Sequence, residues 1–580
     1  MNNAWIEQLQ TALVKRDGDK KGKLLFTKYK TAFSMSYQDS CPVSVALSDI
    51  HQIEKISIDK PFQIDFYQPA EKRDHVLHLR LFQYNSAIPL SDILPMLDNL
   101  GLRTFDERPY KIKLEKTPIY ISDFSVAFTE NNTFDIEVSE SIFQEAFTKI
   151  CLGTCENDGF NKLILAAQLT WREIEILRAY AKYLHQISFR FSQVYIEKIL
   201  VKYCHISKDL IRLFMLKNDP KKKSETAAVV LEKKIVAALD AITSLDDDKV
   251  MRRFLQLIQA TLRTNYFQMQ QGQPKDYLSF KFKSSDIPEL PLPHPLYEIF
   301  VYSPRFEGIH LRSAKVARGG IRWSDRREDF RTEILGLMKA QKVKNAIIIP
   351  SGAKGGFVLK ALPISADRAA TQAEVVICYK SFIRGLLDIT DNLKENKVIR
   401  PKDVVCHDEE DPYLVVAADK GTSTFSDIAN SISKEYQFWL GDAFASGGSA
   451  GYDHKKMGIT ARGAWESIKR HFRELNRDIH DPKTPVRVVG VGDMSGDVFG
   501  NGMIYSSDIK LVGAFDHRHV FIDPDPHPEK SYKERVRLFN LPTSSWENYN
   551  AKLISKGGGI FKRTDKTIAL SAEMKKIAGC

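Results

Sequence analysis

Lys354 stands among glycines in Pro350-Ser-Gly-Ala-Lys-Gly-Gly356, and Asp419 closes the apolar run Tyr413-Leu-Val-Val-Ala-Ala418. A lysine becomes useful in catalysis when burial or neighbouring positive charge lowers its pKa. Arg318, Arg322 and Lys344 lie in the same span and can supply such a neighbourhood. The plainer reading of Lys354 alone is a surface loop lysine. A phosphate loop is excluded, because the G-x-x-x-x-G-K-[ST] spacing is missing. An acid at the C-terminal end of a strand, here beside Gly421, occupies the edge where open α/β sheets place ligands. Its plainer alternative is the N-cap of the next helix. Arg318 precedes Gly319-Gly320, a pair that lets the backbone turn sharply or approach a ligand closely. Together these residues suit the binding of small carboxylates and the transfer of protons.

A second constellation lies in Val486-Arg-Val-Val-Gly-Val-Gly-Asp-Met-Ser-Gly496. Gly490, Gly492 and Gly496 make a one-residue variant of the dinucleotide fingerprint. The first glycine would turn the chain, the second would admit a pyrophosphate, and the third would pack helix on strand. A further strand, Leu511-Val-Gly-Ala-Phe515, ends in Asp516. An acid there accepts from a ribose 2′-hydroxyl and favours NAD over NADP, while Arg518 leaves NADP open. The acidic run Asp408-Glu-Glu-Asp411 reads as an exposed loop, and we assign no metal site.

The elements that must hold these residues come in four stretches. Residues 1–155 read as mixed α+β, with a strand in His75–Tyr84, a helix from Ser91 to Leu100 with Pro95 placed near its start, and a strand from Tyr110. This pattern resembles a small-molecule-sensing ACT-like module. Residues 156–286 are helical: Thr170 and Glu173 have capping-box spacing, and Ile174, Leu177, Ala181, Leu184 and Ile187 form an apolar stripe. Lys221-Lys-Lys223 is expected in a solvated inter-helix loop. Four prolines in Ile287–Pro295 mark a boundary, after which strands and helices alternate through 287–484. There Asp325 and Glu328 have N-cap spacing, Phe330, Ile334, Leu337 and Met338 share a helix side, Ala346-Ile-Ile-Ile349 reads as a strand, and 350–356 reads as a flexible loop. Residues 485–580 begin a Rossmann-type nucleotide domain that runs out of chain, so the sequence reads as a piece of a longer protein. The fold class is multidomain α/β.

The 580 residues are 43% hydrophobic and 27% charged, values of an ordinary globular protein. No run approaches the roughly 20 apolar residues of a membrane helix. Seven cysteines without a CxxC pair match a reduced cytosolic protein rather than a disulfide framework. The net charge of +11 brings no nucleic-acid-reading motif with it.

ArgGlyGlyIleArgTrp (318–323), LysAsnAla (344–346), ProSerGlyAlaLysGlyGly (350–356), AlaAlaAspLysGlyThr (417–422), ThrAlaArgGly (460–463) and the glycine turn at 490–496 together resemble glutamate dehydrogenases, most closely the very large bacterial NAD-specific class. The match is specific over about 300–530, and the chain resembles an internal fragment of such an enzyme. The resemblance implies oxidative deamination of L-glutamate to 2-oxoglutarate and ammonia, with NAD as cofactor. It implies a cytoplasmic homo-oligomer with no nucleic-acid or membrane partner. By that resemblance Lys354 is the catalytic lysine, Asp419 the proton-transferring acid/base, and Lys344 the holder of the α-carboxylate. Arg318, standing where smaller members carry lysine, binds a substrate carboxylate beside Gly319 and Gly320, while Gly490, Gly492, Gly496, Asp516 and Thr460 serve the cofactor. A serine that the family contributes from far downstream would lie beyond Cys580. Two alternatives remain open: a dehydrogenase of another amino acid such as leucine, and a non-catalytic remnant that only binds ligands or partners.

Overall fold

The computed structural model describes every residue except 1–2, 68–76, 115–116, 129–135, 342–350, 362–366, 423, 450, 452, 482 and 580. The chain forms two compact units, 1–445 and 446–580. The architecture is mixed α/β.

In the first unit, β1 (Phe62–Tyr67), β2 (Leu77–Tyr84), β3 (Leu102–Ile112) and β4 (Ile119–Phe128) form an antiparallel sheet in the order β1-β2-β4-β3. Side chains alternate across it. Leu77, Leu79 and Leu81 join the core on one face with Phe143 and Phe147, whereas Phe82 and Ile121 join the N-terminal helical cluster around Trp5, Tyr29 and Tyr37 on the other. The expected helix beside this sheet is α1 (Leu90–Asn99), but Pro95 sits at its middle rather than near its start. The capping box forms as expected: Thr170 accepts from the Glu173 amide and Glu173 accepts from the Thr170 amide, opening α2 (Trp171–Gln186). Ile174, Leu177, Ala181, Leu184 and Ile187 are all buried.

The candidate site rests on an eight-stranded sheet. Its strands are β5 (Thr261–Thr264), β6 (Leu278–Lys283), β7 (Tyr297–Tyr302), β8 (Phe306–Arg312), β9 (Arg318–Trp323), β10 (Ala353–Leu359), β11 (Val415–Ala418) and β12 (Ala445–Ser446), in the order β12-β11-β9-β10-β8-β7-β6-β5. The β9 strand runs parallel to β10 and β11; the pairs from β10 to β5 are antiparallel. Helices α3 (Phe330–Ala340) and α4 (Arg368–Leu387) flank this sheet. Phe330, Ile334 and Met338 of α3 are buried.

Three local expectations need correction. Residues 353–356 belong to strand β10 and not to a flexible loop; glycines are required there because a Cβ on Gly355 would run into Ile321 and one on Gly356 into Ile334. A strand of glycines shows no apolar alternation, so sequence periodicity misses it. Helix α3 starts at Phe330 after Asp329, so Asp325 is not its N-cap. The acidic run is only partly exposed: Glu409 and Glu410 face solvent, but Asp408 and Asp411 are buried in ion pairs with Arg263, Lys281 and Arg312. Unpaired, two such carboxylates would not leave water; three buried cations make the burial tolerable. The expected strand at 346–349 lies outside the described residues.

In the second unit, α5 (Ile459–Glu474) precedes a sheet of β13 (Arg487–Val491), β14 (Lys510–Phe515), β15 (His519–Ile522) and β16 (Gly559–Lys562), ordered β13-β14-β15-β16. Parallel β13 and β14 are joined through α6 (Asp497–Gly502), whereas β15 and β16 return antiparallel. Trp546 is fully buried and stacks on Phe521 with ring centroids 4.7 Å apart. Among the described residues, no helix is long and apolar enough to cross a membrane.

Candidate functional site

Strand periodicity puts Arg318, Gly320 and Arg322 of β9 on one face of the sheet, opposite Ile321, which enters the core. Lys354 on β10 and Asp419, the residue after β11, reach that same face from either side of β9. Lys354 is 4% exposed and its Nζ donates to Asp419 Oδ2. Gly320 makes their meeting possible. A Cβ there would lie 3.2 Å from the Asp419 Cβ and 3.4 Å from Lys354 Nζ, filling the space between the two functional groups. Gly319 serves packing, since a Cβ on it would collide with the Ala353 carbonyl.

Asp419 has three further supports. Its Oδ1 accepts from the Lys420 amide at 2.8 Å, its Oδ2 accepts from Arg322 Nε at 3.3 Å, and its own amide donates to Thr422 Oγ1 at 3.2 Å. Thr422 Oγ1 donates to the Ile321 carbonyl at 2.6 Å, tying the turn back to β9. Arg322 is shared with Glu333 of α3 at 2.7 Å, so the helix also orients the site. Burial pushes the Asp419 carboxyl up, but Lys354, the Lys420 amide and Arg322 together outweigh it and hold the group below its ordinary range. At neutral pH Asp419 is therefore a carboxylate, the form that can accept a proton, on a face shared with Arg318, Arg322 and Lys354. Asp419 caps no helix, since the next one begins at Ser426.

Arg318 is half-buried at the start of β9, paired with Val415. Lys344, the second expected carboxylate holder, lies outside the described residues. In the second unit, Gly490 and Gly492 make room for Phe499 of α6: a Cβ on either would come within 2.6 and 2.9 Å of its side chain. Gly492 also has φ +139°, closed to most side chains. Gly496 meets only the Asp493 carbonyl at 3.4 Å, so helix–strand packing falls to the first two glycines rather than the third. Asp516 Oδ1 accepts from the amides of Arg518 and His519, each at 2.7 Å, while its Oδ2 is buried and has no hydrogen-bond partner. An orphaned buried acceptor at the end of β14 suits a ribose hydroxyl donor, so the residues present fit a dinucleotide. Thr460 is exposed in the first turn of α5.

Sequence reasoning missed Glu333 and Thr422. Thr422 closes the AlaAlaAspLysGlyThr motif and Glu333 belongs to no motif, but the contacts of both arise only because the turn after β11 and helix α3 fold back on β9. Arg322 was visible as a neighbouring cation, but its partner is Asp419.

Comparison with known proteins bears on the whole length. Residues 234–580 match the family model for the catalytic domain of bacterial NAD-glutamate dehydrogenase. Residues 155–220, 61–139 and 12–56 match the glutamate dehydrogenase models for helical motif 3, the ACT3 domain and helical motif 2. The chain is 51% identical over 577 residues to an NAD-specific glutamate dehydrogenase of Halomonas elongata, covering 99% of this chain and 36% of that protein. The corresponding protein of Pseudomonas aeruginosa is 52% identical over 579 residues, covering 99% and 36%, and that of Mycobacterium tuberculosis 49% over 569, covering 95% and 35%. This chain thus spans about a third of the length of these relatives. Since the catalytic-domain model alone covers more than half of its residues, the chain belongs to the bacterial NAD-glutamate dehydrogenase family.

Proposed function

We propose that this chain carries the substrate face and the dinucleotide turn of an enzyme that oxidatively deaminates L-glutamate to 2-oxoglutarate and ammonia with NAD. The Lys354–Asp419 pair on the Arg318–Arg322 face carries the reading. In this reaction the substrate amine gives up a proton, hydride leaves Cα, water adds to the resulting C=N bond, and ammonia departs with a proton returned. Bound NAD supplies the hydride acceptor. The chain's own residues do the rest. Arg318 offers a planar two-pronged donor to a carboxylate, and Lys344 takes the other. The Lys354 ammonium, buried and hydrogen-bonded, holds positive charge beside Cα and polarises the attacking water. Asp419 takes the amine proton first and returns a proton when nitrogen leaves. Gly490, Gly492, Gly496, Asp516 and Thr460 would form the cofactor side, where the unpartnered Asp516 Oδ2 could accept from a ribose hydroxyl.

The four-region division at 155/156, 286/287 and 484/485 is part of this proposal as a division of roles along the sequence, although strands β5 and β6, which precede residue 287, complete the eight-stranded sheet and make the end of the expected helical region 156–286 extended. Assembly into a homo-oligomer is part of it as well. The guanidinium at 318 favours a dicarboxylic substrate over leucine. A nicotinamide absorbance assay with glutamate, run on this chain and on the chain extended downstream, tests the reading. Glutamate-dependent reduction of NAD by the extended chain supports it, and turnover of leucine above glutamate contradicts it.

A further inference from the structure

Two carboxylates, Asp493 and Asp516, meet in the second unit, and among the described residues neither side chain is paired with a cation. Asp493 follows the glycine turn after β13, and Asp516 follows β14, so parallel pairing brings them together at the same sheet edge. Both are already tied by one oxygen. Asp493 Oδ1 accepts from the Ser495 amide at 2.9 Å, the Ser495 hydroxyl at 2.5 Å and the Gly496 amide at 3.2 Å. Asp516 Oδ1 accepts from two amides and is thereby fixed. These bonds lock both carboxylates in place, as second-sphere donors lock metal ligands. What is left over is Asp516 Oδ2, on a residue only 7% exposed, buried and unpartnered. The His517 ring lies beside the pair, and one ligand atom from each of Asp493, Asp516 and His517 lies within 4.8 Å of the others.

One imidazole and two carboxylates are the donor set of Zn2+, Co2+ and Mn2+, and three protein ligands leave positions open for water. A divalent cation would relieve the like-charge contact and satisfy the orphaned oxygen together. We propose that Asp493, Asp516 and His517 form a site for a divalent transition-metal cation, whose occupancy withdraws Asp516 Oδ2 from the dinucleotide ribose. The cation is thus a competitor of the cofactor rather than a participant in hydride transfer. The site itself stands on geometry alone; the competition rests on the dinucleotide reading given above.

The test is a Co2+ titration of this 580-residue chain, followed by the visible d–d absorbance that reports coordination by nitrogen and oxygen. The expected result is one Co2+ per chain whose dissociation constant rises roughly tenfold or more in both His517→Gln and Asp493→Asn, and rises again in wild type when NAD is added. Equal Co2+ affinity in wild type and both variants overturns the site. Residue-dependent binding that NAD leaves unchanged supports the cation site and overturns the dinucleotide reading of Asp516, so the two failures are distinguishable.

Discussion

Lys354 and Asp419 are each half of one device. Lys354 is the strongest influence opposing the burial that would otherwise push the Asp419 carboxyl up. Replacing Lys354 with methionine keeps the bulk but removes the charge, so burial meets less opposition and the Asp419 pKa rises. A carboxylate held low keeps its proton-accepting form down to a lower pH, so the variant loses that form at a higher pH than the wild type. Carbon-detected NMR titration of Asp419 checks this, and an unchanged titration would show that the pair is not coupled. The types and positions of Lys354, Asp419, Arg318 and Asp516 were legible in the sequence because each stands at a strand end or beside glycine. The roles of Glu333 and of Thr422, the latter visible only as a motif residue, were not, because their contacts arise from chain reversals between segments.

At the scale of elements, the buried network behind the site decides where β11 lies. Arg312 on β8 donates to both oxygens of Asp411 and to the Tyr413 carbonyl, and Lys281 on β6 bridges Asp408 and Asp411. The segment leading into β11, and hence Asp419 at its end, is clamped by strands on the far side of β10. Asp411→Asn leaves buried Arg312 without a carboxylate and Lys281 with Asp408 alone, and we expect a loss of about 3–5 kcal/mol in unfolding free energy by urea denaturation. A change below about 0.5 kcal/mol, the scale of an exposed pair, would contradict this role. In the second unit, Gly490→Ala drives a methyl into Phe499, so thermal stability and NAD affinity should fall together; NAD affinity lost at unchanged Tm would place Gly490 at the ligand instead. Apolar runs announced β11, β13 and β14, and the capping box announced α2. The strand at 353–359 and the buried acids stayed hidden, since glycines carry no pattern and charged side chains read as solvent-facing until their partners are known.

For the molecule as a whole, the accessory regions are not appendages. One apolar cluster runs from Ile64 through the helical residues to Val358, and Tyr183 of α2 donates to the buried Glu298 that pairs with Arg331 of α3. Strands β5 and β6 of the catalytic sheet precede the proline-rich segment at 287–295. A chain beginning at residue 287 therefore lacks two strands and the helices that cover them, and it should fail to give a sharp unfolding transition by circular dichroism; cooperative unfolding would show that the catalytic sheet is self-sufficient. Composition and charge excluded classes of protein but said nothing of this continuity, which depends on contacts between residues more than a hundred positions apart. The +11 charge resolves locally into cations that serve buried acids and the Lys354–Arg322 face.

Lys354, paired with Asp419, is the proposed centre of the reaction. The most direct test is glutamate-dependent NAD reduction by the full-length enzyme, wild type against Lys354→Ala, with NAD affinity measured alongside. We expect kcat to fall roughly 10²–10⁴-fold with NAD affinity within about twofold; turnover near the wild-type rate removes Lys354 from this role.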